Sequence, residues 1–318
     1  MDSHRKPVAR LERLIRANAH EQARRARSLL AAAMPPDAMS IHETRKTIKR
    51  LRATLSLLQH ELGDDYKSWM NRLGALNRRL SSVRDLDACL KILADLRSSG
   101  SLSRQFVINQ LQAELADQRT LCAAAGGSDW RKSLVDELDG VMAGFSVWQA
   151  SAKDFDLIES ALRKLARRAR RLIRDLQANP RVEGIHSLRK LVKRRLYWLE
   201  MLEPLWPRGF RAEKKLVDVL ADHLGDHHDL AVLLELLGKS AAAQQSANTR
   251  TVQSLERRLI FQQKQLERRA LRSARYLFAE RPKAFAQRWK AVWKVWRDLP
   301  LAVDTVSSPE QFSRPRPR

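Results

Sequence analysis

Residues 41–52 read IHETRKTIKRLR and residues 185–196 read IHSLRKLVKRRL, so one pattern occurs twice, 144 positions apart. Neither copy contains proline or glycine, which predicts that each copy forms one helix. At about 100° per residue, the cations of each copy gather around its histidine, and the aliphatic residues gather on the opposite side. The predicted cationic face of the first copy consists of His42, Arg45, Lys46, Lys49, Arg50 and Arg52. That of the second consists of His186, Arg189, Lys190, Lys193 and Arg194.

These two faces carry almost no acidic residue. A solvated helix face ordinarily mixes charges of both signs, because like charges four residues apart are mildly destabilising. For either copy alone a solvated face and a binding face are about equally good interpretations, but the recurrence favours a surface that presents cations to an anionic ligand. Each histidine is expected to be mainly neutral at pH 7, and it can either donate one N–H to an anion or make a structural hydrogen bond within the protein.

Two further basic stripes occur on the predicted helices that precede the two motifs. The first stripe consists of Arg13, Arg16, His20, Arg24 and Arg27, at spacings of 3, 4, 4 and 3. The second consists of Arg163, Arg167, Arg170 and Arg174, at spacings of 4, 3 and 4. If these helices pack on the motif helices through their apolar faces, we expect all four basic faces to line one groove or channel that binds a polyanion.

Three landmarks recur in the same order along the chain. ARRAR occurs at 23–27 and 166–170, the central motif follows 144 residues apart, and Asp85-Leu86 matches Asp229-Leu230. This order predicts an internal duplication. We therefore predict an all-α fold of two helical bundles related by a pseudo-twofold axis around a basic central cleft. The predicted bundles span residues 1–148 and 149–302, and residues 303–318 form a polar, proline-containing tail that is predicted to be disordered.

The acidic and histidine landmarks indicate no catalytic centre. Asp85 and Asp229 are expected at the restart of a helix, which favours a capping role over pairing with an arginine of the stripe. His223 and His227 have the spacing of a metal-chelating pair and precede His228, but their first-half counterparts are not histidines, so a metal is not favoured there and the question stays open. No metalloprotease, phosphate-loop or serine-hydrolase motif is present, and we expect no cofactor and no enzymatic activity.

The composition limits the classes of partner. The chain of 318 residues carries 60 lysines and arginines against 36 aspartates and glutamates, a net charge of +24. The acids are spread along the chain, which indicates a folded basic protein that needs a polyanion partner such as nucleic acid, ribosome, anionic membrane or inorganic polyanion. No apolar run is long enough to span a membrane and no secretory signal is evident. Cys89 and Cys122 suggest no disulfide framework, so a cytoplasmic location is expected.

The paired His-x-x-Arg-Lys-x-x-Lys-Arg segments, each followed by an Asp-Leu element, resemble the CHAD family, the conserved histidine α-helical domain. In this resemblance His42 and His186 match the histidines for which the family is named. RDLD at 84–87 matches the family element, whereas HDLA at 228–231 keeps only Asp-Leu, and Arg195 replaces the apolar residue found at Leu51. The resemblance covers about residues 5–300.

The resemblance implies two helical bundles with a basic central cleft that binds inorganic polyphosphate. We therefore expect a non-catalytic polyphosphate-binding protein, cytoplasmic and associated with polyphosphate granules and their enzymes. A nucleic-acid or ribosome-associated protein is the alternative, because phosphate contacts carry no sequence information. It is disfavoured because the basic helices lack the interleaved aromatic residues on which bases stack.

Overall fold

The computed structural model describes residues 10–32, 38–97, 102–124, 130–152, 154–240 and 249–299. Within these ranges the chain forms eleven α-helices, a short 3₁₀ turn and no strand, which confirms the predicted all-α class. The first six helices are α1 (Arg10–Ala32), α2 (Ala38–Leu57), α3 (Gly63–Arg79), α4 (Ser81–Arg97), α5 (Leu102–Ala124) and α6 (Trp130–Val147). The others are α7 (Asp156–Ala178), α8 (Val182–Met201), α9 (Pro207–Lys239), α10 (Thr249–Leu277) and α11 (Pro282–Asp298), with the 3₁₀ turn at Glu203–Leu205. The predicted tail, 303–318, lies outside the described residues.

The order and lengths of the helices repeat along the chain. α1 and α7 both have 23 residues, and α2 and α8 both have 20. The pair α3 and α4 is matched by the single helix α9, because the break at Leu80 has no counterpart there. The expected restart of a helix at Asp229 is therefore wrong, since Asp229 lies inside α9. That the two halves superpose stays a prediction.

Two buried apolar clusters hold the helices together, and each draws on both halves of the chain. The larger cluster combines α1, α2, α3 and α6 with α7, α8, the first part of α9, the last part of α10 and α11. The smaller one combines α4 and α5 with the last part of α9 and the first part of α10. A buried hydrogen bond of 2.8 Å from Trp198 Nε1 to the Ala53 carbonyl also joins the halves. The predicted boundary at 148/149 falls in the connection between α6 and α7, but the cores do not follow it.

The apolar face of α2 determines where its cations point. Ile48, Leu51 and Leu55 are buried, and α1 packs along α2 with Leu11 and Ile15 also buried. Burying one such side chain contributes about 1.5–3 kcal/mol, so this packing fixes the rotation of α2 about its axis. The cationic face of α2 is thereby directed away from α1 and towards α4 and α8, which also contact α2.

The last helix completes the larger core. Phe285, Trp289, Trp293 and Trp296, which recur with helical spacing in the sequence, are all buried. Phe285 and Trp289 have ring centroids 5.4 Å apart, and Trp289 lies 4.7 Å from Phe210 of α9. The aromatic face of α11 is therefore part of the core.

Candidate functional site

A cavity of about 540 Å³ lies between α2, α4, α8 and α9, and we call it the central cavity. Both motif helices contribute to it. Seven of the residues predicted from the motifs line it, namely His42, Arg45, Lys46, Lys49, Arg50, Arg189 and Lys193. Arg84 of α4 and Lys214 of α9 add two further cations. The structure therefore brings cations that are 144 residues apart in sequence to one cavity.

Lys49 lies between cations of both motifs. Burial, together with the nearby guanidinium groups of Arg45 and Arg189, lowers the pKa of Lys49 to about 7. Burial also lowers the pKa of Lys193, followed by the charge of Arg189. These shifts mean that the charged forms of both lysines are destabilised in the folded protein, and an anion placed among them would relieve that cost.

Asp85 and Asp229 lie beside arginines of the motif helices. Arg45 is 7% exposed, and its Nη2 lies 3.9 Å from Oδ1 of Asp85. Burial raises the pKa of Asp229, whereas the charges of Arg84 and Arg189 lower it. Asp85 is the fifth residue of α4 and Asp229 is far from the start of α9, so neither caps a helix. The expected capping role is wrong, and the alternative of pairing with the basic stripe fits the geometry.

The two motif histidines have different surroundings. Nε of Arg84 donates a hydrogen bond of 3.2 Å to Nδ1 of His42, and burial, followed by the Arg84 charge, lowers the pKa of His42. His186 instead has its ring centroid 4.8 Å from that of His228, and burial, followed by the charge of Lys190, lowers its pKa. His42 lines the central cavity, whereas His186 does not.

One face of α9 brings carboxylates to the opposite side of the central cavity. These are Asp218, Asp222, Asp226 and Asp229, at helical spacings of 4, 4 and 3. Asp85 and Glu200 also line the cavity, so six acids face eight lysines and arginines. Burial raises the pKa of Asp226, and Asp222 raises it further. Our sequence reasoning missed this acidic face, which we call the α9 acidic wall, although the spacing of its four aspartates was visible.

The family model of the CHAD domain matches residues 13–238. The chain belongs to the CHAD family. The matched span includes every residue that lines the central cavity. The fold is similar to that in the crystal structure of the CHAD domain from the plant Ricinus communis, with a TM-score of 0.64 and 22% sequence identity, covering 86% of this chain and 92% of that one. No curated protein has a matching sequence.

Four predicted residues of the two motifs do not line the central cavity of this CHAD domain. They are Arg52, His186, Lys190 and Arg194. Arg52 and Arg194 lie near each other and near Tyr66 of α3, and burial lowers the pKa of both arginines. Lys190 is exposed to solvent. The motif faces are therefore wider than the cavity that they border.

The basic stripes of α1 and α7 are not brought to the central cavity. Helices that pack through their apolar faces direct their polar faces away from each other, so the expected convergence of four stripes is not seen. Arg16 donates to the carbonyl of Trp148 at 2.6 Å, and Arg170 donates to the carbonyl of Phe278 at 2.9 Å. The ring of His20 lies 5.8 Å from that of Phe145.

The other arginines of the two stripes either pair with acids or face solvent. Three of them have acidic partners: Arg24 with Glu21, Arg27 with Asp139, and Arg163 with Glu159. The rest are exposed: Arg13, Arg167 and Arg174.

The histidines near position 227 point in different directions. His227 is buried towards α10, with Nε2 3.8 Å from Oε2 of Glu267, and burial lowers its pKa to about 4. His228 faces His186 in the cavity region, and burial lowers its pKa to about 3. In the part of the chain that the structure describes, no group of three or more His, Cys, Asp or Glu residues could hold a metal ion. Among the helices that the structure describes, none has the length and hydrophobicity of a transmembrane span.

Proposed function

We propose that this CHAD domain binds inorganic polyphosphate in the central cavity and acts by binding alone. The observation that carries the proposal is the convergence of the two motif helices on one cavity. Arg45 and Lys49 come from α2, and Arg189 and Lys193 come from α8. Arginine binds phosphate oxygens through a two-pronged fork and lysine binds them as a point charge, so this set suits a chain of phosphates.

The unmatched donor of Arg189 and the unbalanced charge at Lys49 support an anionic ligand. Nε of Arg189 is buried and has no hydrogen-bond partner among the described residues. Lys49, with a pKa of about 7, is only partly charged at neutral pH without a ligand. A polyphosphate chain carries a negative charge on every phosphate unit, so it would supply both the missing acceptor and the missing counter-charge.

The α9 acidic wall gives the cavity two unlike sides. A polyanion would contact the α2 and α8 cations and lie away from the aspartates of α9. Arg50 and Lys214 are already held by Glu200, with N–O distances of 2.9 Å and 3.8 Å. We therefore assign the main phosphate contacts to Lys49, Arg189 and Lys193, with His42 as a neutral donor. Arg45, which is 7% exposed and lies 3.9 Å from Asp85, adds its charge to the same cavity.

Granule association is a consequence of polyphosphate binding, whereas nucleic acid is a competing candidate for the ligand. A protein that binds long chains would associate with polyphosphate granules, so granule association belongs to the same proposal. Nucleic acid is the alternative polyanion. A cavity of about 540 Å³ is too small to enclose a duplex, which favours an unbranched phosphate chain.

The test compares polyphosphate with duplex DNA by isothermal titration calorimetry at physiological salt. The variant Lys49→Glu with Lys193→Glu should lose nearly all polyphosphate binding, because each change replaces an attraction by a repulsion inside the cavity. The matched control, Arg13→Glu with Arg167→Glu, makes the same change of net charge at exposed positions of α1 and α7. It should change the affinity by less than about threefold, because charges more than a Debye length of about 8 Å from the ligand are screened.

Two results would contradict the proposal. Equal loss of binding in the two double variants would show that the overall charge, and not the central cavity, attracts polyphosphate. Tighter binding of duplex DNA than of polyphosphate by the unmodified protein would favour the nucleic-acid alternative. Thermal unfolding of each variant confirms that the fold is retained before its affinity is interpreted.

A further inference from the structure

A second and larger cavity, of about 1090 Å³, adjoins the central cavity. We call it the side cavity. It lies between the first turn of α2 and helices α4, α9 and α10, and it shares four lining residues with the central cavity: His42, Arg84, Asp226 and Asp229. The hydrogen-bonded pair of His42 and Arg84 therefore lies at the junction of the two cavities.

The two cavities differ in charge. Lysines and arginines outnumber acids in the central cavity, by eight to six. In the side cavity the acids outnumber the cations, with five carboxylates (Glu43, Asp87, Asp95, Asp226 and Asp229) and three cations (Arg84, Lys91 and Arg269). Two of these carboxylates, Glu43 and Asp87, are already paired with Arg25 and Arg119, at 3.2 Å and 2.5 Å. The side cavity therefore offers a phosphate chain no excess of positive charge, whereas Asp226 and Asp229 can accept hydrogen bonds from a neutral group that carries N–H donors.

The side cavity also has an aromatic and aliphatic surface that a phosphate chain cannot use. Phe261 of α10 is 63% exposed and Met39 of α2 is 69% exposed. Ile92, Leu230 and Leu266 complete this surface, and the amide side chains of Gln262 and Gln265 lie beside it. An exposed aromatic ring next to aliphatic side chains and a few hydrogen-bonding groups is typical of a site for a flat, partly apolar ligand group.

We propose that the two cavities together bind a purine nucleoside polyphosphate, with its phosphates in the central cavity and its base in the side cavity. The inference rests on the proposed function for the phosphate end of the ligand. The base would stack on Phe261, and its exocyclic amino group, joined in guanine by the ring N1–H, would donate to the carboxylates and amide oxygens around it. Arg84, at the junction, would contact the phosphate nearest the sugar.

The test uses ligands with the same number of phosphates: inorganic triphosphate, ATP and GTP, titrated calorimetrically at fixed salt in the presence of EDTA. Inorganic triphosphate has one more ionisable oxygen than a nucleoside triphosphate, so charge alone would make it the tighter ligand. We expect ATP or GTP to bind at least tenfold more tightly than inorganic triphosphate, because stacking and the N–H donors add contacts in the side cavity.

Two single variants separate the two ends of the ligand. Phe261→Ala should reduce the affinity for ATP and GTP about tenfold and leave inorganic triphosphate unchanged. Lys49→Glu should weaken binding of all three. The matched control is Phe106→Ala on α5, because Phe106 is 58% exposed and lines neither cavity. This control should leave every affinity unchanged.

The outcomes distinguish this inference from the proposed function. If ATP and GTP bind no more tightly than inorganic triphosphate, or if Phe261→Ala leaves their advantage intact, the assignment of the side cavity is overturned while polyphosphate binding stands. If ATP or GTP binds through Phe261 and long-chain polyphosphate does not bind, the proposed function is overturned and the nucleotide site stands. Failure of all these ligands to bind overturns both.

Discussion

Arg84 donates a hydrogen bond from Nε to Nδ1 of His42 over 3.2 Å. Because Nδ1 accepts this bond, the proton of the neutral ring resides on Nε2, which is then free to donate to a ligand. The equivalent positions 144 residues later are His228 and His186, whose rings lie 4.8 Å apart. The same two positions thus touch in both halves, but only His42 has its tautomer fixed by a cation. We therefore expect His42, and not His186, to donate to bound phosphate.

The first prediction tests the Nε2 proton of His42 by two substitutions of different reach. His42→Gln places an amide N–H near the position of Nε2, whereas the shorter His42→Asn reaches only the position of Nδ1, where its amide oxygen can accept from Arg84. We expect His42→Asn to weaken polyphosphate binding at least tenfold, because a hydrogen bond to a charged group contributes about 1.5–3 kcal/mol. His42→Gln should keep most of the affinity, as measured by titration calorimetry.

His186→Asn is the matched control for this prediction, since it changes the same residue type outside the cavity lining. The affinity of His186→Asn for polyphosphate should stay within about twofold of that of the unmodified protein, which corresponds to about 0.4 kcal/mol. Equal losses in His42→Asn and His42→Gln would show that the ring packs structurally and donates nothing to the ligand.

The second prediction concerns the α9 acidic wall. Asp226 lines both cavities, and burial beside Asp222 raises its pKa. Replacing its carboxylate in Asp226→Asn removes a repulsion from bound phosphate, so the affinity for polyphosphate should rise on the order of tenfold, equivalent to about 1.4 kcal/mol. Asp136→Asn makes the same charge change at an exposed position of α6 and should have little effect. Weaker binding in Asp226→Asn would mean that this carboxylate positions the cations.

The helical class and the convergence of the two motifs could be predicted because both follow from the spacing of apolar and charged residues along the sequence. A helix that is apolar on one side and cationic on the other must bury the first and expose the second, and a repeated motif implies a repeated environment. Lys49 and Lys193 meet in one cavity for this reason. The departures of this chain from the family element at 228–231 and at Arg195 were also visible without a structure.

The orientation of whole helices could not be predicted in the same way. The stripes of α1 and α7 obey the same periodicity as the motifs, yet Arg16 and Arg170 bind backbone carbonyls of neighbouring segments. Periodicity states that a face is polar, but only the packing partners decide which space that face enters. The α9 acidic wall was overlooked for a related reason, because its helix was expected to be interrupted before Asp229.

The third prediction follows from the pKa of Lys49, which burial lowers to about 7 from an ordinary value near 10.5. Below pH 7 this lysine is protonated in both the folded and the unfolded chain. Between about pH 7 and 10.5 the unfolded chain binds more protons, so the contribution of Lys49 to the free energy of unfolding increases with pH. Bound polyphosphate favours the ammonium form, so the affinity should be highest below pH 7 and fall as the pH rises.

Proton uptake measures this linkage directly. Titration of polyphosphate at pH 7.5 in two buffers of different ionisation enthalpy should show uptake of up to one proton per bound ligand. Lys49→Met, which keeps the aliphatic bulk without the titrating group, should reduce the uptake, and in the absence of ligand it should flatten the rise of stability above pH 7. Binding enthalpies that do not depend on the buffer would place the Lys49 side chain outside the phosphate site.

The last prediction separates a structural cation from the binding cations. Arg195 occupies the position that matches the buried Leu51 of the first half. Although its side chain is charged, it is only 3% exposed. Its Nε and Nη2 donate to Oε1 of Glu213 at 3.1 Å and 2.9 Å, and its guanidinium lies 4.9 Å from the ring centroid of Phe278. Arg195 Nη1 also donates to the carbonyl of Leu277, the last residue of α10. Arg195 therefore joins α8 to α9 and α10, and it does not line the central cavity.

Arg195→Ala should lower the free energy of unfolding by about 3–5 kcal/mol, because it leaves Glu213 short of a partner and opens space beside Phe278. Arg288 also binds Glu213, at 3.1 Å, which places the expected loss nearer the lower limit. Urea denaturation measures the loss, with Arg163→Ala as a control, since Arg163 is half-exposed and pairs only weakly with Glu159. Below the denaturation midpoint, folded Arg195→Ala should bind polyphosphate like the unmodified protein. If Arg195→Ala is as stable as the unmodified protein but loses polyphosphate binding, Arg195 is a ligand-binding cation and its assignment to the core of the protein is wrong.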